Sequence, residues 1–332
     1  MTIPIYRPQT RIQPMWPGQM GVPGSDLANG LRTQSQGVTL FVDANHLDKS
    51  DAHDGTDPEH PLATIGGAIT RLGTMQTAGV ICEGSVIYVA EGNYAESVVT
   101  PTSVVGPNYV TLVGLGGMGS PYWTSGLATD PCLDIRAIGW RVTGFHFGAP
   151  VTDACIVLQN QAPTVACVAT GAVIDSNYFD GLAVGLYGIW QHGAAEVQIL
   201  NNKFARFNNA GNTATGLVSD GVVALPLRNI VAGNEFMDGD NHMVFPGNGN
   251  MVRGNVFQAV GVTYTAIQIL NTSTGANPGN HNVVTGNILP GDYSNAGGYR
   301  GGAADVWIGN LAEDIAEAEV ADNGFTMLVP AA

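Results

Sequence analysis

A short acidic stretch in the second half of the chain carries the residue types of an acid–base site. It contains Asp238, Asp240 and His242, and Asp220 lies upstream of it. Two carboxylates on one flank of a protein can cleave a glycosidic bond, one acting as the acid and the other as base or nucleophile. A solvated loop has the same composition, because 27 acidic residues produce several chance pairs. Both interpretations stay open at this point.

A second acidic stretch lies near the N-terminus, with aspartates at Asp48, Asp51 and Asp54. Carboxylate oxygens are the ligands that calcium prefers, so this loop is a candidate calcium site. The spacing of three residues differs from the alternate spacing of an EF-hand loop. The Asp54-Gly55 dipeptide is typical of a tight turn, and we therefore expect no obligatory cofactor.

Other chemistry-bearing side chains are scattered. The histidines lack the spacing of a metal site. Aromatic residues suited to sugar stacking or to subunit contacts are Tyr122, Trp123, Trp190, Tyr264, Tyr293, Tyr299 and Trp307. Tyrosine and tryptophan are enriched at both kinds of surface, so their presence does not separate the two roles.

The elements that must position these residues are predicted by a repeat. An aliphatic residue, two small or polar residues, Asn, any residue and Phe or Leu recur at 174–179, 199–204, 231–236, 252–257, 284–289 and 320–325, with a degenerate copy at 142–147. The repeated asparagines are Asn177, Asn202, Asn234, Asn255, Asn287 and Asn323. Their steps of 21 to 36 residues are typical of a stacked solenoid.

Each copy is a short strand, a sharp corner and another short strand. Stacked copies bring successive asparagines to about 4.8 Å from one another, where their amides can form a ladder. We therefore predict an all-β, right-handed parallel β-helix in which the asparagines are structural and stabilise the corners.

The pattern resembles the repeats of the pectate-lyase-like β-helix superfamily, which includes polysaccharide lyases, polygalacturonases and phage tailspikes. The resemblance covers roughly residues 38 to 326 and implies fold more than activity. A lyase of this family would need a basic residue, and the candidates are Arg206, Arg228, Arg253 and Arg300. The Gly-His-Gly and Arg-x-Lys motifs of polygalacturonases are absent from the sequence.

The N-terminal part of the predicted solenoid is similar to the entry of many β-helix proteins. A first strand at 38–44 is followed by the acidic loop and by an amphipathic helix at about 62–73, with Ile65, Ala68, Ile69 and Leu72 on one face. Such a helix caps the open end of the coil and prevents edge-to-edge pairing. We predict two units, an extended arm at 1–37 and a β-helix domain at 38–332. Asn310 near the end could cap a short helix or belong to a loop.

The arm is rich in proline, which removes backbone donors and fixes φ. It carries the side chains that we assign to docking on a partner: Tyr6, Arg7, Arg11, Trp16 and Arg32. An extended segment with these side chains favours attachment to capsid or tail proteins; the alternative is a disordered tail.

Composition limits the function classes. A formal net charge of −15 and only two lysines argue against nucleic acid and anionic membranes as partners. The first residues lack the apolar core of a signal peptide, and no apolar run reaches membrane-spanning length. The four cysteines show no CxxC spacing, so we expect buried free thiols.

Three functions remain. The first is a non-enzymatic structural component of a bacteriophage-like virion, a capsid decoration, head-spike or tail-associated protein that is anchored by the arm and is a homotrimer. The second is a virion-associated depolymerase that acts on a host-surface polysaccharide through residues 238–242. The third is carbohydrate binding without turnover. The missing family motifs favour the first, in which the protein resides in the virion and is not an enzyme.

Overall fold

The computed structural model describes residues 37–116, 119–159, 169–209, 214–219, 227–258, 265–268, 281–290, 299–300 and 305–312. Within these ranges one helix, α1, spans Ile65–Thr77. The strands, in chain order, are β1 Thr39–Val42, β2 Val86–Val89, β3 Asn93–Ala95, β4 Val98–Val99, β5 Thr111–Gly114, β6 Tyr122–Thr124, β7 Leu133–Ile135, β8 Arg141–Thr143, β9 His146–Gly148, β10 Ala154–Gln159, β11 Val173–Asp175, β12 Tyr178–Asp180, β13 Tyr187–His192, β14 Gln198–Leu200, β15 Lys203–Ala205, β16 Thr215–Ser219, β17 Ile230–Ala232, β18 Glu235–Met237, β19 Asn241–Val244, β20 Met251–Arg253, β21 Val256–Gln258, β22 Thr265–Gln268, β23 Val283–Thr285, β24 Ile288–Leu289, β25 Tyr299–Arg300, β26 Val306–Ile308 and β27 Leu311–Ala312.

These strands form three parallel sheets, and each turn of the chain contributes one strand to each sheet. Sheet 1 has the order β1-β2-β5-β8-β11-β14-β17-β20-β23-β26, sheet 2 has β3-β6-β9-β12-β15-β18-β21-β24-β27, and sheet 3 has β4-β7-β10-β13-β16-β19-β22-β25. The predicted right-handed parallel β-helix is confirmed.

The corner between sheets 1 and 2 explains the repeat. The residue before each ladder asparagine has a positive φ, for example 57° at Ser176, 53° at Asn201 and 67° at Gly233. Glycine and asparagine adopt this left-handed conformation at low cost, which is why the position before the ladder holds small or polar residues. The residue with the left-handed backbone is therefore the one before the ladder asparagine, and not the ladder asparagine itself.

The ladder itself joins backbone to side chain. The N–H of one asparagine donates to the Oδ1 atom of the next at 2.9–3.0 Å, from Asn177 through to Asn310. The side-chain Nδ2 atoms also donate to the next Oδ1 at 2.8–3.1 Å. Asn310 therefore lies in the ladder and is followed by β27, which corrects the helix-cap alternative. Asn323 lies outside the described residues.

A second ladder, which the sequence analysis missed, lies at the corner that leads into sheet 1. Asn229 donates to Asn250, Asn250 to Asn282, and Asn282 to Asp305, at 2.8–3.0 Å. Each member precedes a first-ladder asparagine by five residues, as Asn229 precedes Asn234. That constant spacing in the second half of the chain is a signal that could have predicted it.

The middle residue of each strand in sheet 2 points into the coil. Phe147, Phe179, Phe204, Phe236 and Phe257 stack with ring centroids 4.6–5.1 Å apart and interplanar angles of at most 10°. All five rings are buried. The residues on either side of each ring point outward. The register of the stacked rings therefore also aligns the outward residues of neighbouring strands.

The helix α1 covers the N-terminal end of the coil. It begins at Ile65 and ends at Thr77, later than the predicted 62–73, because Thr64 is extended (φ −131°, ψ 153°) and acts as the N-cap for Gly67. Its buried face holds Ile65, Ala68, Ile69 and Leu72, as predicted. The carboxylate of Glu96 accepts hydrogen bonds from the N–H groups of Ile65 (2.9 Å) and Gly66 (2.8 Å).

We expect Glu96→Gln to destabilise the protein by about 1–2 kcal/mol, because the amide nitrogen would face one of two donor N–H groups and leave it unsatisfied. Chemical unfolding curves measure this loss. Glu91→Gln is the matched control, since Glu91 is exposed and only its carbonyl oxygen is bonded. Equal stability of the two variants would contradict the capping role.

The described cysteines Cys82, Cys132 and Cys155 are buried and free, as predicted. Cys167 lies outside the described residues. The described part of the chain contains no helix that is long and apolar enough to cross a membrane.

Candidate functional site

The outer face of sheet 2 carries a column of aromatic side chains. Tyr122, His146 and Tyr178 are the first residues of β6, β9 and β12 and are in register. Their ring centroids are 4.6 Å apart at both steps. Because the inward position of each strand is taken by a core aromatic ring, these residues must point outward. The neighbouring rings are tilted by 56° and 31° to one another and form a continuous aromatic column.

Asp180 and Arg206 lie beside this column, at the edge between sheets 2 and 3. The Arg206 guanidinium donates to both carboxylate oxygens of Asp180, with Nε 2.8 Å from Oδ1. The N–H of Leu182 donates to Oδ1 at 2.9 Å, and His146 Nε2 lies 3.7 Å from Oδ2. The side chain of Asp180 is 3% exposed and that of Arg206 50% exposed, so the pair presents a cation at the surface.

These neighbours determine the protonation states of Asp180 and of the two tyrosines in the column. Burial alone would raise the pKa of Asp180, but the nearby His146 ring and the hydrogen bonds from Arg206 and the Leu182 N–H lower it to about 2. Burial and the nearby Asp180 charge raise the pKa of Tyr122 and of Tyr178. At neutral pH Asp180 is thus a carboxylate, and both phenols keep their protons.

The low pKa of Asp180 predicts a pH dependence of stability. The folded pKa of about 2 lies below the ordinary value of 3.8. The stabilisation is complete above pH 3.8, and it is lost as the pH falls through the folded value. We expect Asp180→Asn to destabilise the protein at pH 7, and the difference from wild type to shrink between about pH 4 and pH 2. Unfolding curves at several pH values measure it; a difference that does not change with pH would contradict the pairing.

A second aromatic group lies on the outer face of sheet 3. Tyr187, Trp190 and His192 all lie on β13 and are half-buried. Ring centroids are 5.3 Å apart for Tyr187 and Trp190, and 4.2 Å apart for Trp190 and His192. We call these three residues the Trp190 platform.

Acidic side chains lie beside the platform. Val157 pairs with Asp134 on one side and with Trp190 on the other, which places Asp134 and Trp190 two strands apart, about 10 Å. Arg136 binds Asp134 Oδ2 through Nε at 2.8 Å and Nη2 at 2.5 Å. Burial nevertheless raises the pKa of Asp134, against the effect of Arg136, and burial also raises the pKa of Asp153. Burial therefore favours the protonated form of both carboxyl groups, whereas Asp180 is held as a carboxylate.

The stretch at 238–242 does not form the predicted acid–base group. His242 is buried within the coil, with its ring centroid 6.0 Å from that of Phe236, and burial lowers its pKa to about 3. Asp238 lies on the turn before β19 with a φ of 50°, and burial raises the pKa of Asp240. The expectation of joint catalysis is corrected, because the imidazole faces the core. Asp220 lies outside the described residues.

The aspartates of the N-terminal loop are engaged in hydrogen bonds. Asp51 accepts from the N–H groups of Ala63 and Thr64 at 2.9 and 3.0 Å, and Asp54 accepts from Thr56 at 2.9 Å. An Asp48 oxygen lies 3.3 Å from His60. Among the described residues no group of three or more His, Cys, Asp or Glu side chains could hold a metal ion.

The remaining candidates have these positions. Arg206 pairs with Asp180, and Arg228 lies 2.6 Å from Glu196. The docking residues Tyr6, Arg7, Arg11, Trp16 and Arg32 lie outside the described residues. The sequence analysis missed His146, Tyr178, Asp134 and Asp153. Aligning the residue before the inward Phe of each repeat would have predicted the His146–Tyr178 part of the column.

The three parallel sheets define the structural class of this protein. This chain is a right-handed parallel β-helix protein. Among solved structures it is similar to the tailspike protein of E. coli bacteriophage HK620 in complex with hexasaccharide, with a TM-score of 0.51 and 12% identity over 86% of this chain and 57% of that chain. This chain therefore spans less than two thirds of the tailspike, and at this identity the likeness shows the fold.

Two further similar structures are enzymes. The alginate lyase from Paenibacillus sp. has a TM-score of 0.48 and 18% identity over 78% of this chain and 96% of that chain. Pectin methylesterase from carrot has a TM-score of 0.44 and 14% identity over 90% of each chain. No family model and no curated protein matches the sequence.

Proposed function

We propose that this chain is a non-enzymatic component of a bacteriophage-like particle, and that it binds a host-surface polysaccharide through the outer face of sheet 3. The observation that carries the proposal is the Trp190 platform, in which three half-buried aromatic rings lie together on the outer face of β13. Aromatic side chains with an apolar ring and a polar edge suit the mixed surface of a sugar.

The charge of the protein selects the kind of glycan. A net charge of −15 repels anionic polysaccharides, and Asp134 and Asp153 add local negative charge when they are ionised. Carboxyl groups are also good acceptors for sugar hydroxyl groups. We therefore propose a neutral polysaccharide as the ligand.

Binding to a panel of immobilised neutral and anionic bacterial polysaccharides tests the proposal. We expect wild type to retain at least one neutral polysaccharide and Trp190→Ala to weaken its binding about tenfold, equivalent to ~1.4 kcal/mol. Tyr109→Ala is the control, because Tyr109 is an exposed aromatic residue outside the platform. No binding by wild type, or equal binding by Trp190→Ala, would overturn the proposal.

Hydrolysis of the bound polysaccharide is a second candidate function, favoured by two carboxyl groups on neighbouring elements: Asp134 lies on β7, and Asp153 directly precedes β10, which pairs with β7. A general acid must hold its proton near the operating pH, and burial has this effect on a carboxyl group. Release of reducing ends by wild type and its loss in Asp134→Asn would establish this activity. Binding without release supports the non-enzymatic function.

Attachment to the particle through the arm at 1–37, and a homotrimeric state, are further parts of the proposal. The basic and aromatic residues of the arm support it, since they suit an acidic or aromatic-lined partner surface. Removal of residues 1–36 should abolish co-sedimentation with the parent particle and leave polysaccharide binding intact. Light scattering of the purified chain measures the oligomeric state.

A further inference from the structure

An apolar groove lies on the cap of the coil, between α1 and the loop that follows β4. It has a volume of about 580 Å³, within the range of ~300–1,000 Å³ that is usual for ligand pockets. Its lining includes Ile69, Gly73, Thr74, Thr77, Val99 and Pro101. The glycine opens the groove: a β-carbon on Gly73 would have Pro101 Cγ, at 3.8 Å, as its nearest neighbour.

Exposed aliphatic side chains adjoin the groove. Val80 and Ile81 follow the end of α1, and Val104 and Val105, 68% and 67% exposed, lie in the turn after Pro101. Isolated exposed apolar residues are ordinary, but a group of them beside an apolar groove marks an interaction surface. The last turn of α1 also lacks a basic residue, so its carbonyl groups favour a cation.

The chain supplies an occupant with the required chemistry. Residues 1–36 precede the described part and combine apolar residues such as Ile3 and Ile5 with prolines, three arginines and one aspartate. A proline-rich segment loses little conformational entropy when it binds in extended form. Its net positive charge complements both the acidic body and the end of the helix.

The position at which this segment joins the coil favours binding within one chain. A β-carbon on Gly37 would lie 2.3 Å from the Ser85 nitrogen, so the two residues are in direct contact. Ser85 is seven residues from Ala78 at the end of the groove, a span of at most ~23 Å along the chain. A tethered segment of 36 residues easily covers this distance and binds at high effective concentration.

We propose that the groove on the cap binds the N-terminal segment of the same chain, so that residues 1–36 fold back over α1 and cover the exposed valines and Ile81. This inference does not depend on polysaccharide binding. It concerns the resting position of the arm that attachment to the particle would use.

Hydrogen exchange on the full-length protein tests this inference. We expect a run of neighbouring non-proline amides within residues 2–24 to exchange at least tenfold more slowly in the protein than in a synthetic peptide of the same sequence. Gly73→Gln places a side chain in the groove and should remove this protection. Gly73→Ala is the matched control: both changes raise the helix propensity, but a methyl group leaves the groove open.

The outcomes separate the alternatives. Protection that is present in wild type and Gly73→Ala, absent in Gly73→Gln, and unchanged over a hundredfold range of protein concentration supports the proposal. Unprotected amides in wild type, or equal protection in all three proteins, would overturn it. Protection that increases with concentration would show that the arm binds a second copy, which also overturns folding back within one chain.

Discussion

Replacement of Asn202 by alanine should lower the free energy of unfolding by about 3–5 kcal/mol, the largest loss that we expect from a single polar residue. Asn202 is 1% exposed and lies between Asn177 and Asn234 in the first ladder. Its Oδ1 accepts the N–H of Asn177 at 3.0 Å, and its Nδ2 donates to the Ile174 carbonyl oxygen at 2.8 Å. Two or three buried backbone and side-chain groups would lose their partners together, and each costs ~1–3 kcal/mol.

The control lies next to it. Asn201 is exposed and holds the left-handed corner position with a φ of 53°, so Asn201→Gly should change stability by less than about 0.5 kcal/mol. Guanidinium unfolding curves measure both variants. If the Asn202→Ala and Asn201→Gly proteins unfold at the same denaturant concentration, the ladder does not stabilise the coil as we infer.

An aspartate at the same position adds a pH test. Its carboxylate would face the Ile174 carbonyl oxygen and the Asn234 Oδ1 atom, which raises its folded pKa above the unfolded value. The variant is then most stable below the unfolded pKa and loses stability as the pH rises through the folded one. Asn202→Asp should therefore be destabilised more at pH 7 than at pH 3.5. An aspartate occurs naturally in the second ladder, where Asp305 accepts the N–H of Asn282 at 2.9 Å.

Removal of one ring from the core stack is the other large effect. Phe204 is 1% exposed and stacks on Phe179 at 4.8 Å and on Phe236 at 4.6 Å. Phe204→Ala should cost about 3–5 kcal/mol, since a closely packed coil cannot close the cavity. Phe204→Leu preserves most of the volume and should cost about 1–1.5 kcal/mol.

Lys203 provides the surface control on the same strand. It points outward and lies 3.4 Å from Glu235, with both side chains more than a third exposed. Lys203→Ala should cost no more than about 0.5 kcal/mol. In thermal and chemical unfolding, Phe204→Ala should lose the most stability, Phe204→Leu less, and Lys203→Ala the least. A Phe204→Ala protein as stable as Lys203→Ala would contradict the role of the stack.

The repeat predicted the coil because its constraints are local. A left-handed corner needs glycine, asparagine or serine, an inward position needs an aliphatic or aromatic residue, and both recur in every turn. The start of α1 was predicted less well, since Asp51 accepts the N–H of Thr64 and Glu96 accepts that of Ile65, and both carboxylates come from other parts of the chain. The second ladder has a constant spacing too, but its asparagines lie outside the six-residue repeat that predicted the first ladder.

The residues of the candidate site are far apart in the sequence and come together only in the folded sheets. Asp180 and Arg206 are 26 residues apart and meet because β12 and β15 are neighbours in sheet 2. Asp134 shares an outer face with Trp190 only through the register of β7, β10 and β13. His242 was a candidate beside Asp238 and Asp240, but it is buried together with its neighbour Met243, and its ring centroid lies 6.0 Å from that of Phe236 in the core.

From the sequence alone, the repeat established a parallel coil with inward rings and polar corners, since each turn must satisfy the same backbone groups and fill the same interior. The tertiary structure decided which outward side chains meet. Turns of different length connect the sheets, so only the register imposed by the ladders and the stacked rings aligns Tyr122, His146 and Tyr178, and places Asp134 near Trp190. The groove on the cap likewise exists only where α1 packs beside Val99 and Pro101.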